Sequence, residues 1–205
     1  MSSIPDFNDK ALWARLLKGD DGALDKIYRT HFDSLYQYGM RMLKDEDQVR
    51  DCLHDLFLKL WTNRKSINEA RNTTAYLISS FRNLIINHRN KYQGLEMVEA
   101  TDENHHDLDF SLESEYIHRE DVSQKARRLA VAMDKLTSRQ KEIIYLKYFE
   151  DLSYAEISDI MDLTPKGTYK LSARAMEALR DLLKIDNAML ILLLIELKQN
   201  HFFLK

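Results

Sequence analysis

The sequence predicts an all-α chain: two small helical domains joined by an acidic linker, the second containing a helix-turn-helix. Three observations carry that prediction. Chain breakers are scarce, with 5 Gly and 2 Pro in 205 residues, which argues against the frequent turns of a sandwich or barrel. Apolar residues recur at spacings of three and four, the period of a helix with one buried face. Charge is also segregated: residues 93–121 hold ten acids and one base, a net −9 against −3 for the whole chain, leaving +6 elsewhere. Such asymmetry reads as a polar spacer between two mildly basic globular parts. The resulting boundaries are a domain over 1–92, a linker over 93–123, a domain over 124–183 and an apolar extension over 184–205.

Composition narrows the function classes. Hydrophobic residues at 44% and charged residues at 31% are ordinary for a soluble packed protein. The single cysteine, Cys52, excludes an internal disulfide and a multi-cysteine zinc site, and fits a reducing compartment. It reads as a small core hydrophobe rather than a redox sensor. The N-terminus MSSIPDFNDK lacks a basic-then-apolar signal. The longest apolar run, Ala188–Ile195, is far below the ~18 residues of a membrane span. A cytoplasmic location is therefore expected, without membrane insertion. The chain has no glycine-rich phosphate loop and no convincing carboxylate triad, so neither an enzyme nor a cofactor is predicted. The constellation His105-His106-Asp107-x-Asp109 is weighed as a metal-dependent hydrolase site and set aside, because no packed second shell is evident to orient the ligands.

The first domain reads as stacked helices. Phe7–Leu17 places Leu12, Trp13, Leu16 and Leu17 on one stripe, and Gly19-Asp20-Asp21-Gly22 breaks it. Ala23–Leu43 is one amphipathic helix or a closely joined pair. Lys44-Asp45-Glu46-Asp47 supplies acids where the next helix dipole favours them. That helix runs to about Trp61, with Val49, Leu53, Leu56, Phe57 and Leu60 inward. Its other face gathers Asp51, His54, Asp55 and Leu58, neighbours on one helical surface. Such a face is either plain solvated surface or a docking surface.

After the polar loop Asn63–Thr73, a helix over Thr74–Lys91 buries Leu77, Phe81, Leu84, Ile85 and His88. Its opposite face collects Ser79, Arg82, Asn83, Ile86, Asn87, Arg89 and Asn90, and no acid lies between Arg71 and Lys91. Arg can neutralise phosphate and Asn can read a base edge, while Tyr76 and Phe81 offer stacking surfaces for unpaired bases. The alternative is an ordinary solvated basic helix.

The second domain opens with a helix over Lys125–Leu136, and three capped helices follow. Thr137 with Gln140 and Ser153 with Glu156 form capping boxes; Thr164 caps a third helix with Pro165 at its first position. The Asp162-Leu163 link has the spacing of a helix-turn-helix. In the last helix Thr168, Leu171, Ala175, Ala178 and Leu182 are expected inward. Lys166, Lys170 and Arg174 fall at i, i+4 and i+8 on the other side, beside Tyr169 and Ala173. A small residue within a basic row lets a helix enter a major groove, while Lys and Arg bind phosphate or guanine. An exposed Lys row on a helical hairpin remains the plain alternative. The apolar tail reads as a cover for the helix-turn-helix core, as a segment that closes against the first domain, or as part of a partner-binding or autoinhibitory surface.

Taken together, residues 10–92 and 124–183 resemble a bacterial RNA polymerase sigma factor of the extracytoplasmic-function (ECF) class. GDDGALDKIYRTHFDSLYQYGMRML resembles the opening helices of the promoter-melting domain. DEDQVRDCLHDLFLKLW resembles the helix that docks on the polymerase β′ clamp, with His54-Asp55 where Gln-Glu is usual. TTAYLISSFRNLIINHRNK resembles the minus-ten-reading helix, with Tyr76-Leu77 in place of Trp-Leu and Asn87 in place of a later Asp. LTSRQKEIIYLKYFEDLSYAEISDIMDLTPKGTYKLSARAMEALRDLL resembles the minus-thirty-five-binding helix-turn-helix.

The resemblance implies a dissociable subunit that binds polymerase core through the β′ clamp and β flap, recognises and melts promoter DNA, and is controlled by an anti-sigma factor. It assigns Asp51, His54, Asp55 and Leu58 to the clamp. Asn68, Arg71, Asn72, Ser79, Arg82, Asn83 and Ile86 are assigned to the minus-ten element, with the loop Ile67–Thr73 capturing a flipped base. Lys166, Tyr169, Lys170, Ala173 and Arg174 are assigned to the minus-thirty-five element. The acidic linker then threads toward the polymerase cleft and RNA exit path. The competing expectation is a stand-alone helix-turn-helix regulator that binds duplex DNA without polymerase.

Overall fold

The computed structural model describes residues 6–92 and 124–202. The acidic segment 93–123, with its expected linker role and its histidine pair, lies outside them. Among the described residues every regular element is a helix, and the helices group into two units, α1–α4 and α5–α9.

In the first unit α1 (Asp6–Leu17) turns directly into α2 (Asp21–Leu43). Gly19, at φ +88°, makes the turn. The carboxylate of Asp20 then caps α2 by accepting the Ala23 amide at 3.2 Å, and pairs with Arg15 at 2.7 Å. Hydrogen bonding from Arg15 and that amide holds the Asp20 carboxyl below its ordinary value. The expected break at 19–22 is therefore shorter than the sequence implies, because Asp21 and Gly22 are already helical. No joint interrupts α2, a single helix of 23 residues.

Lys44, left-handed at φ 55°, closes α2. Asp45 then caps α3 (Glu46–Thr62) by accepting the backbone and side-chain N–H groups of Gln48 at 3.0 and 2.8 Å. The inward residues of α3 are Val49, Cys52, Leu53, Leu56, Phe57 and Leu60. α4 (Thr73–Tyr92) packs on α2 and α3 through Leu77, Ile78, Phe81 and Ile85, all fully buried. The helices approach closely at Gly39, where a methyl group would lie 2.9 Å from both Val49 and Phe81.

The second unit comprises α5 (Gln124–Asp134), α6 (Ser138–Tyr148), α7 (Tyr154–Met161), α8 (Pro165–Leu183) and α9 (Asn187–Phe202). Both expected capping boxes form, at Thr137/Gln140 and Ser153/Glu156, and Thr164 accepts the Gly167 amide at 3.1 Å with Pro165 opening α8. Asp162, at φ 50°, turns the chain between α7 and α8. A short polar side chain tolerates this left-handed region better than most.

The buried stripe of α8 is Thr168, Ser172, Ala175, Leu179 and Leu183, one position off the expected set beyond Thr168 except at Ala175. Leu171 and Ala178 are half-buried, and Leu182 is 41% exposed. Two hydroxyl pairs explain the shift: Ser158 with Thr168 at 2.8 Å, and Tyr154 with Ser172 at 3.0 Å. Partnered polar groups occupy core positions at the α7–α8 crossing, where partnering removes most of the cost of burial. α9 lays Leu190, Leu193, Leu194 and Leu197 against the unit, and Lys198 reaches the Asp151 carboxylate. The tail thus covers the second core, while Met189, Leu192 and Ile195 stay exposed.

Replacing Gly39 by Ala should destabilise the first unit although Ala is the better helix former. Overpacking typically costs ~1–3 kcal/mol, against ~1 kcal/mol gained from propensity. Urea unfolding followed by tryptophan fluorescence reads this unit selectively, since both tryptophans, Trp13 and Trp61, lie within it. A lowered midpoint is the expected result, and a raised one would show that α2 has room to move.

Candidate nucleic-acid interface

Three exposed rows stand on the faces opposite these cores. On α8, Lys166, Tyr169, Lys170, Ala173 and Arg174 are all exposed. They lie across the helix from Thr168, Ser172 and Ala175, so packing of the helix-turn-helix presents them outward together. Tyr169, 58% exposed, rests on the Tyr154 ring at 4.5 Å, and the Lys147 ammonium lies 4.9 Å over that ring. Among the described residues no carboxylate pairs with Lys166, Lys170 or Arg174. The row is thus a cationic strip with a small residue at its centre, shaped for a groove lined by phosphates.

On α4, Asn83 and Asn87 are exposed, and Ser79, Ile86 and Asn90 are half-buried on the same face. Arg82 departs from the expectation. It is only 3% exposed, because on the helix it neighbours the fully buried Ile78 and Ile85, and its long stem follows them inward. It lies on the buried side of α4 and not beside Asn83 and Asn87 on the exposed side. Phe81 is likewise fully buried and offers no stacking surface, while Tyr76 is half-buried with its ring 4.9 Å from that of Trp13.

The preceding loop keeps Asn68, Glu69 and Arg71 exposed. Asn72 instead caps α4. Its side-chain oxygen accepts the Ala75 amide at 3.2 Å, and its carbonyl accepts that of Tyr76 at 3.1 Å. Asn is among the residues preferred at a helix N-cap, which is the signal of this role in the sequence. The loop is also tied elsewhere. Arg64 stacks over Trp61 at 4.1 Å and donates to its carbonyl at 2.6 Å, and the Trp13 indole donates to the Asn68 carbonyl at 3.3 Å. Neither tie is visible from spacing.

On α3, Asp51, His54, Asp55 and Leu58 are exposed together, Leu58 by 54%. This is an acidic rim around one apolar side chain, held by a rigid, capped helix. Between it and the core sits Cys52, whose burial, reinforced by Asp55 and Asp51, raises its thiol to about 11.

Comparison with known proteins shows the family of the chain. The model of Sigma-70 region 2 matches residues 27–94, and that of Sigma-70 region 4 matches 126–179. The two together span more than half of the chain. This chain belongs to the Sigma-70 family of RNA polymerase sigma factors. It is similar to the ECF RNA polymerase sigma factor SigW of Bacillus subtilis, 27% identical over 173 residues, covering 82% of this chain and 92% of the relative. It is also 27% identical over 158 residues to SigL of Mycobacterium tuberculosis, covering 75% and 85% respectively.

Two solved structures share the fold. CnrH, in complex with the cytosolic domain of CnrY, gives a TM-score of 0.57 at 20% identity, covering 87% of this chain and 99% of that one. RpoE of Bartonella quintana, in complex with the anti-sigma factor NepR, gives 0.55 at 21%, covering 80% and 98%.

As a sigma factor the chain binds RNA polymerase core and directs promoter recognition, DNA melting and transcription initiation. A stand-alone regulator would use only the second unit, and the match over the first unit disfavours it. Among the described residues no helix is long and apolar enough to cross a membrane, and no cluster of metal-ligating side chains occurs.

The sigma factor's Cys52 has a pH signature. Its folded thiol pKa is raised, so the stability it contributes is full below the ordinary thiol pKa and is lost as pH climbs to about 11. Over that interval wild-type unfolding midpoints should fall more steeply than those of Cys52→Ala. Parallel slopes would place the thiol in contact with water.

Proposed function

We propose that the three exposed rows divide the work of initiation. The α3 face (Asp51, His54, Asp55, Leu58) docks on the β′ clamp, and the second unit meets the β flap. Asn68 and Arg71 of the loop, with Ser79, Asn83 and Ile86 of α4, hold the opened minus-ten strand. Asn72 positions this site as the α4 cap. The α8 row (Lys166, Tyr169, Lys170, Ala173, Arg174) enters the major groove of the minus-thirty-five element. One observation carries this reading: in each unit the polar row expected to meet a partner is the face left outside the core.

The physics fits the division. A base must leave the stack before its Watson–Crick edge can be read, at a cost of a few kcal/mol, and an Arg and Asn on an exposed loop offer compensating contacts. The acidic segment 93–123 would lie along the cleft and RNA exit path, its carboxylates occupying sites built for phosphates. Catalysis belongs to the polymerase, and the chain needs neither cofactor nor metal for its part. A cytoplasmic location and control by an anti-sigma factor complete the proposal. The complex of RpoE with the anti-sigma factor NepR supports the latter.

Reversing two charges on α3, Asp51→Arg with Asp55→Arg, should weaken co-elution with polymerase core by about tenfold or more, as like-charge juxtaposition does at interfaces. Undiminished co-elution would place the clamp contact elsewhere. On α8, Ala at Lys166, Lys170 or Arg174 should weaken upstream-element binding. A lost base contact, worth ~1–3 kcal/mol, relaxes specificity at one position; a lost phosphate contact lowers the salt slope by about 1 on all sequences. Asn83→Ala should impair promoter opening more than closed-complex binding, scored by permanganate footprinting against gel shift. Equal losses would remove Asn83 from the strand-reading role.

A further inference from the structure

The segment 63–72 between α3 and α4, which contains the loop read as capturing a base, is held at three points. At its start Arg64 is stacked on Trp61, and at its end Asn72 caps α4. Both anchors belong to the helices that flank the loop. The middle anchor is different: Trp13, on α1, donates its indole N–H to the carbonyl of Asn68 across 55 positions of sequence. Trp13 is 1% exposed and its ring edge meets Tyr76 in the first turn of α4. A buried indole N–H demands an acceptor, so the ring cannot rotate away without losing the bond. The Asn68 side chain nevertheless stays exposed, as do Glu69 and Arg71. The loop is thus gripped by its backbone while its side chains face outward. α1 lies N-terminal to the residues matched by the region 2 model, which begin at 27.

We propose that Trp13 is a positioning residue for base capture, fixing the backbone of Asn68 so that the loop meets the flipped base at one height above α4. The inference rests on the reading of residues 67–73 as the capture loop. A wobbling loop would still attract the phosphates of the strand, but it would distinguish one base from another less well. The anchor therefore serves selectivity more than affinity.

The test uses full-length protein in holoenzyme and a pool of pre-melted duplexes randomised over the downstream element. The readout is base preference at the most selective position. Trp13→Phe keeps a buried ring and removes the donor. Trp13 replaced by 3-benzothienylalanine keeps the bicyclic shape and removes only the N–H, which guards against misfolding of the first variant. Arg71→Ala serves as the control for the loop itself.

Preference should fall about threefold to tenfold in both Trp13 variants, the size of one hydrogen bond, with core affinity and upstream-element binding unchanged. Loss of preference in Arg71→Ala but not in the isosteric Trp13 variant overturns the inference and leaves the loop reading standing. Unchanged preference in Arg71→Ala overturns both. Equal weakening on every sequence in the isosteric variant reduces Trp13 to a packing residue and also overturns the inference.

Discussion

At Gly39 the backbone of α2 comes so near Val49 and Phe81 that no side chain fits between them, and the first unit is organised around that approach. With α3 and α4 both pressed against α2, each has only one face left to present. On α3 it is the acidic rim around Leu58; on α4 it is the row from Ser79 to Asn90. Neither row needs a dedicated scaffold. Each is what remains when the apolar stripe of a capped helix is buried, and the stiffness of a packed core gives each face a fixed geometry.

The second unit solves the same problem with polar groups. Its α7–α8 crossing buries Ser158, Thr168 and Ser172, with hydroxyls paired at about hydrogen-bond length to one another or to Tyr154. Ser158 and Thr168 also lie 2.7 and 3.1 Å from the carbonyls of Tyr154 and Thr164, and with one proton on each hydroxyl two of these three contacts are bonded at a time. Small hydroxyl residues let the two helices approach closely, and each bond is directional, so the rotation of α8 about its axis is specified as well as its depth. That rotation aims Lys166, Lys170 and Arg174 away from the core. α9, closing the far side with four leucines and the Lys198–Asp151 pair, leaves the basic row untouched.

Much of this is legible in the sequence because the signals are local. The capping boxes at Thr137 and Ser153 and the Thr164-Pro165 start are each written within four residues, and each forms. The inward stripe of α3 and the basic row of α8 follow from helical periodicity alone. What escapes such reading depends on neighbours distant in sequence or on the packing around a position. Arg82 reads as surface because it is charged, yet its position between Ile78 and Ile85 draws it inward. Leucines suggest one stripe for α8, whereas the unit buries serine and threonine with partners ten and eighteen residues away. Gly39 looks like any helical glycine, and the Trp13–Asn68 bond spans two elements that no motif joins. The exposed rows are therefore readable as patterns, and their support is not.

Two helical units on one chain are held to confer start-site choice on a polymerase that lacks it. The most direct measurement is to map transcript starts made by purified core polymerase on fragmented genomic DNA, with and without this protein. The expected result is a new set of starts, each preceded by two shared sequence elements at constant spacing, one opened and one kept duplex. Starts identical to those of core alone, or new starts sharing a single element, would contradict it.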